Sequence, residues 1–250
     1  MKTSLTALLV ASALGVLPAH AAEVEKKQVI AQADTERSAN EPASFSYKPP
    51  LRGAPATRVG GGTRSVGARP VTLNVLAPNE TGFTTRDNPT VYWYVSESLT
   101  NPVELTITTT EPLKDATPPA LEITIQPPIA KGVHAVRLGD HGVTLKPGVE
   151  YQWFVAVVAN PAQRSSDVVA GGAIQRIANA DAVQMRLKQA PQQRLAAVYA
   201  ESGIWYDAID ELSREISANP ADAKLRQQRA ALLEQVGLRD AAAFDRETAR

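Results

Sequence analysis

The sequence predicts an all-β two-sheet sandwich followed by a small α-helical repeat segment, and three observations predict it. Between Pro70 and Ala178, apolar and polar residues alternate at period two in seven short runs, separated by Asn-Pro, Pro-Pro, Gly-Asp and Pro-Gly turns. From Asn179 onward β-branched residues thin out, and alanine, leucine, glutamine and arginine take over. In that second region landmarks return after 34 residues: Gly203 as Gly237, Ala208 as Ala242, Ala196 as Ala230 and Tyr199 as Leu233.

The strands follow in order. Val71, Leu73 and Val75 share one side of the first; Val91, Trp93 and Val95 share one side of the second. Val103, Leu105 and Ile107 face away from Glu104, Thr106 and Thr108, and Leu121, Ile123 and Ile125 face away from Glu122 and Thr124. Val133 to Leu138, Tyr151 to Val158 and Asp167 to Ile177 complete the seven, an antiparallel set. None has the three-four spacing of a helix. The run Leu145-Lys146-Pro147-Gly148-Val149-Glu150-Tyr151-Gln152-Trp153 resembles the entry to the sixth strand of immunoglobulin/fibronectin III-like sandwiches, tyrosine corner included. Its phenol, on Tyr151, would bond back to the turn, and Trp93 would be the core tryptophan.

In the helical part, a first helix is predicted over Asp181 to Gln189, and Pro191 opens a second that Gly203 ends. Ile204 to Ala218 form a third, stopped by Asn219-Pro220, and Ala223 to Val236 and Asp240 to the C-terminus complete the set. Leu195, Ala196, Tyr199, Gly203, Ala208, Leu212 and Pro220 resemble one tetratricopeptide-like hairpin. Departures are Gln192 for tryptophan, Glu215 for a small residue, and Arg229 and Arg246 at apolar positions. Two degenerate copies are fewer than a free-standing solenoid needs, so the helices should lean on the sandwich, with Val183 and Leu187 of the first helix supplying the apolar side, or on a partner. Trp205 is expected in the core, Tyr206 exposed, and the acids Asp210 and Glu211 solvated.

The first residues carry Lys2, an apolar run from about Leu5 to Leu17, and the small-x-small pair Ala19 and Ala21. That composes a signal peptide, residues 1–21, too short for the roughly 20 apolar residues of a spanning helix. The expected compartment is the periplasm or medium, with a chain that does not span the membrane once mature and meets no nucleic acid. There is no cysteine, which excludes disulfides, thiolate metal sites, a cysteine nucleophile and a lipobox anchor. Formal net charge is zero. Residues 22–46 read as a disordered terminus, and 47–69 as a proline- and glycine-rich basic arm carrying Lys48, Arg52, Arg58, Arg64 and Arg69. The sandwich then occupies 70–178 and the helical pair 179–250.

Within the arm, Arg58, Gly60, Gly61, Gly62 and Arg64 compose a candidate anion site, because successive glycines can aim several N–H groups at one anion and arginines add charge. A phosphate loop should follow a strand and open a helix, however, and this one leads into a strand, which favours an extended arm lying on the sandwich. His134 shares strand parity with Val136 and Leu138 and His141 sits in a turn, so the two make a poor metal site. No hydrolase elbow or zincin motif is present; a Ser-His-Asp set remains open, since its members need not be near in sequence. No catalytic residue, metal or cofactor is assigned.

An ordered set of motifs carries a resemblance over roughly residues 45 to 240. It comprises Tyr47-Lys48-Pro49-Pro50 through Gly60-Gly61-Gly62-Thr63-Arg64, Asn88-Pro89-Thr90-Val91-Tyr92-Trp93-Tyr94-Val95, Tyr151-x-Trp153, Ile174-x-Arg176, and Leu195-Ala196-x-x-Tyr199-Ala200-x-x-Gly203-Ile204-Trp205-Tyr206-Asp207-Ala208. Together they resemble the bacterial family called domain of unknown function 928. The resemblance implies an exported protein, abundant in cyanobacteria, with no assigned activity. Many relatives would carry a cysteine near Val158-Ala159-Asn160, where this chain has none. The expected function is therefore a non-enzymatic interaction or envelope accessory protein, docking an envelope or membrane-sensor protein through the first-helix face of the repeats: Gln193, Ala197, Glu201, Lys224, Gln227 and Glu234. The alternative is a carbohydrate or envelope-polymer binding module using the sandwich and the arm.

Overall fold

A computed structural model describes residues 46–49, 58–59, 63–66, 69–109, 119–178 and 181–249, which all fall in one compact unit. The expected signal peptide, the disordered terminus up to residue 45 and Gly60, Gly61 and Gly62 lie outside the described residues. Nine strands are present among those described: β1 (Thr63–Val66), β2 (Arg69–Val75), β3 (Gly82–Thr84), β4 (Thr90–Val95), β5 (Val103–Thr109), β6 (Leu121–Ile125), β7 (Gly132–Arg137), β8 (Glu150–Val157) and β9 (Val168–Arg176). They form two sheets, ordered β1-β2-β4-β7 and β3-β9-β8-β5-β6. The sheets stack between β2 and β9, consistent with a sandwich. Their approach is close enough that a Cβ on Gly172 would lie 2.6 Å from the Ala77 Cβ.

Strand parity follows the alternation. Val71, Leu73 and Val75 are buried, as are Val91, Trp93 and Val95 and the set Val103, Leu105 and Ile107. His134 is half-buried and stacks on Trp93 with ring centroids 4.4 Å apart. Tyr151 is buried and its hydroxyl accepts the Lys146 N–H at 3.2 Å, tying strand to turn as expected. Two departures concern short elements. β1 lies within the arm and β3 has three residues, below what alternation can reveal. The set is also not wholly antiparallel, because β3 pairs β9 in parallel, Gly82 opposite Ile174.

Five α-helices follow: α1 (Asp181–Gln189), α2 (Leu195–Glu201), α3 (Trp205–Ala218), α4 (Ala223–Gln235) and α5 (Arg239–Glu247). The 34-residue echo is geometric as well as textual. Gly203 and Gly237 both take positive φ, 77° and 76°, which only glycine adopts without strain. Around them the Ile204 N–H bonds the Tyr199 carbonyl at 2.9 Å, and the Leu238 N–H bonds the Leu233 carbonyl at 3.0 Å, so each hairpin turns through the same cap.

The helices do lean on the sandwich, through α3 rather than the first helix. Ten of the fourteen residues of α3 are buried, whereas α1 buries none; Val183 and Leu187 stay half-exposed in a helix that packs on α2. Tyr206, Asp210 and Glu211 are accordingly inside, not solvated: their exposures are 1%, 2% and 6%. The reason is that α3 is covered on one side by its helical neighbours and on the other by β3 and β4. β4 is buried at all six positions for the same reason, with the sandwich core on one face and helices on the other.

Candidate functional site

The junction between α3 and the sandwich concentrates the buried polar groups. Trp205 donates its indole N–H to the Leu76 carbonyl at 2.8 Å. The Tyr206 hydroxyl takes the Trp153 indole N–H at 2.8 Å and donates to the Ala173 carbonyl at 2.9 Å. Asp207 accepts from the Thr84 hydroxyl at 2.6 Å, the Thr85 N–H at 2.9 Å and the Thr85 hydroxyl. One turn on, Asp210 accepts from the Tyr92 hydroxyl at 2.7 Å and from the Arg86 guanidinium. Burial pulls the Arg86 pKa down, but Asp210 and Asp207 outweigh it and the net shift is upward. Burial raises the Tyr92 phenol, and Asp210 adds to the rise. Each of these groups has a partner, which is how a buried polar cluster remains tolerable.

Beside this junction lies a cleft of ≈ 910 Å³. It runs along the side of the sandwich where β6 ends one sheet and β7 ends the other. Ile123, Thr124 and Ile125 line it from β6, and Ala135, Val136 and Arg137 from β7. Side chains alternate between faces along a strand, so three consecutive lining residues mean that the backbone edge itself borders the cleft. The rim adds Asp140 and His141 from the turn after β7, and Arg214 and Ser217 from α3.

Asp140, His141 and Ser217 are thus the residue types of a hydrolytic triad gathered in one place, which the sequence left open. Their arrangement does not form one. The Ser217 hydroxyl donates to the Ser213 carbonyl at 2.8 Å, within its own helix, and Asp140 and His141 are neighbours on one short turn. A serine whose proton is directed to a main-chain carbonyl has no base positioned to activate it.

The residues expected from sequence are dispersed. Arg58 has a structural engagement: its Nη1 donates to the Ala77 carbonyl at 3.2 Å and the Val236 carbonyl at 2.8 Å, clamping the end of α4 to the sandwich. Burial lowers its pKa, against the pull of Glu80. Just upstream, Tyr47 packs edge-on against Trp205, centroids 4.9 Å apart, so this part of the arm lies on the helices. The side chain of Arg64 is outside what is described. On the helical face, Ala197 is 0% exposed and unavailable to a partner. Glu201 is paired with Arg186 at 2.7 Å, and Glu234 with Arg246. Gln193, Lys224 and Gln227 remain exposed. Arg229, a departure from the repeat pattern, is buried and grips Asp245 through two bonds of 2.7 and 2.6 Å while donating to Ser213 at 2.9 Å.

No helix among the described residues is long and apolar enough to cross a membrane, and no group of three or more metal-ligating side chains among them is arranged to hold an ion. The family model described as Domain of Unknown Function (DUF928) matches residues 59–245, and the chain belongs to that family. No curated protein matches the sequence. Among solved structures, a multi-domain immunophilin from Arabidopsis thaliana aligns at 11% identity over 81% of this chain and 99% of its own, with a TM-score of 0.22, too slight a likeness to argue from.

Proposed function

Taking membership of that family as the premise, we propose that the protein is an exported, non-enzymatic interaction or envelope accessory protein whose docking site is the cleft between β6 and β7. The observation that carries this reading is the border of the cleft: two strand edges flank a partly apolar floor of Ile123, Ile125 and Val136. The ionisable groups of the neighbouring junction are, by contrast, occupied by structural partners. The scaffold in this reading is an immunoglobulin/fibronectin III-like sandwich, supported by the Tyr151 corner and the buried Trp93, fused to a tetratricopeptide-like pair, supported by the twin caps at Gly203 and Gly237. Export rests on Lys2, the apolar run and the Ala19-x-Ala21 site. The partner is a protein of the envelope or the extracytoplasmic part of a membrane sensor.

The helical face is the weaker docking surface, since burial of Ala197 and the ion pairs of Glu201 and Glu234 leave it narrow. Carbohydrate binding through ring stacking would need an exposed aromatic platform; no tryptophan, tyrosine or phenylalanine is exposed among the described residues. The test is a photo-crosslinking amino acid placed at Ala135 or at Lys224 in the native host, followed by mass spectrometry. A protein adduct at Ala135 that exceeds the one at Lys224 is expected. Glycan adducts alone, or none, would overturn the reading, and a protein adduct confined to Lys224 would move the site to the helices.

A further inference from the structure

We propose that the cleft binds its partner as an added β-strand: an extended, acidic peptide segment that pairs with the free edge of β6 or β7. This rests on the reading of the cleft as a protein docking site and specifies what enters it. A strand at the end of a sheet directs the N–H and C=O groups of alternate residues away from its one neighbour, and an extended segment can satisfy them. β6 pairs only with β5, and β7 only with β4, so both seam-side edges are open among the described residues. Strand addition takes affinity from these main-chain bonds and selectivity from what alternate side chains meet.

Here the alternate side chains would meet two environments. Toward the sandwich lie Ile123, Ile125 and Val136, half-buried or buried members of the interior faces, which suit aliphatic residues. Toward the rim stand Arg137, exposed, and Arg214, also exposed, whose ion pair with Glu211 on its own helix is a loose 3.5 Å contact. Asp140 is the one carboxylate among the residues lining the cleft. The balance favours a ligand that brings carboxylates, spaced by two so that they fall on the rim side while aliphatic residues fall on the floor. β7 is six residues long, enough to pair with a segment of about that length.

The experiment uses the full mature chain and a fluorescently labelled synthetic octapeptide of alternating valine and glutamate, followed by anisotropy. Three comparison probes accompany it: the same peptide with lysine for glutamate, the same peptide N-methylated at alternate amides, and an oligogalacturonide carrying similar negative charge. The valine-glutamate peptide should bind, the lysine version should not, and N-methylation on the pairing register should abolish binding by removing the donors. Arg137→Glu and Arg214→Glu, both at exposed positions and expected to melt as the parent does, should each weaken binding about tenfold. Equal binding of the N-methylated peptide would overturn strand addition. Oligogalacturonide displacing the peptide at equal charge would overturn the peptide as occupant in favour of a polyanion site. Absence of peptide binding alongside a protein crosslink at Ala135 would defeat this inference while leaving the docking reading intact, whereas absence of both defeats the two together.

Discussion

Asp210 and Phe244 occupy equivalent places in the two helical hairpins, 34 residues apart, and both reach the same strand two residues apart. Asp210 accepts a hydrogen bond from Tyr92 at 2.7 Å; Phe244 packs on Tyr94 with ring centroids 5.6 Å apart. One turn earlier the contrast repeats, with Asp207 bonded to Thr84 and Thr85 in the first hairpin and Ala241 buried in the second. The second hairpin keeps its own charge pair, Arg229 with Asp245, and points it inward among the helices. The repeat therefore fixes where a helix end and a contact point fall, while the chemistry of the contact is open. A buried polar contact demands every partner at its distance and so defines one orientation, whereas a ring on a ring tolerates small shifts. The first hairpin aligns the helices on the sandwich, and the second seals the far end.

The largest way to break this comparison is to remove the sandwich. Residues 179–250 alone would expose Trp205, Tyr206 and Ile209, all at or near 0% exposure in the whole chain, and should show weak, non-cooperative helicity by circular dichroism. The whole chain should melt in one transition; a sharp independent melt of the fragment would sink the claim that α3 depends on the sandwich. Next comes the internal pair. Arg229→Ala leaves a buried carboxylate uncompensated and should cost about 3–5 kcal/mol in urea unfolding, while Arg229→Met combined with Asp245→Leu should cost far less. Equal losses would mean that packing, not charge, makes that contact. Phe244→Ala, at a half-buried ring, should cost about 1–2 kcal/mol.

The last test is a slope rather than a size. Burial holds the Asp207 carboxyl above its ordinary 3.8, although hydrogen bonds from Thr84 and Thr85 act the other way. A carboxyl with a raised folded pKa binds its proton more tightly folded than unfolded. Its stabilising contribution is complete below about pH 3.8 and is lost as pH climbs through the raised value. Asp207→Asn should remove that descending limb, so the stability of the variant relative to the parent should rise with pH across this window. A flat difference would say that the carboxyl titrates normally.

What was legible in the sequence was local. The parity of Val103, Leu105 and Ile107, the Tyr151 corner and the paired glycines each depend on neighbours within a few residues. The burial of Asp210 depends on Tyr92, 118 positions away, and leaves no local trace. One signal was available: Thr90-Val91-Tyr92-Trp93-Tyr94-Val95 lacks the polar alternation of the other strands, as a strand covered on both faces should. Reading only Val91, Trp93 and Val95 as buried missed the helices lying over Tyr92 and Tyr94. The cleft was out of reach for a different reason, since β6 and β7 were recognisable as strands but their lying at sheet edges is a property of topology. Ala197 shows the converse, a position assigned to a surface by repeat analogy that the fold buries.

The clamp at the start of the domain bears on time rather than on stability alone. The Tyr47 N–H bonds the Gln235 side chain across 188 residues, and Arg58 bonds the Val236 carbonyl across 178. Contacts of such separation close loops that cost the most entropy, so they are the last to reward the chain for forming them. Substitutions at Gln235 or Arg58 should therefore raise the rate at which the native state opens and leave the rate at which it forms nearly unchanged, which stopped-flow unfolding and refolding would check.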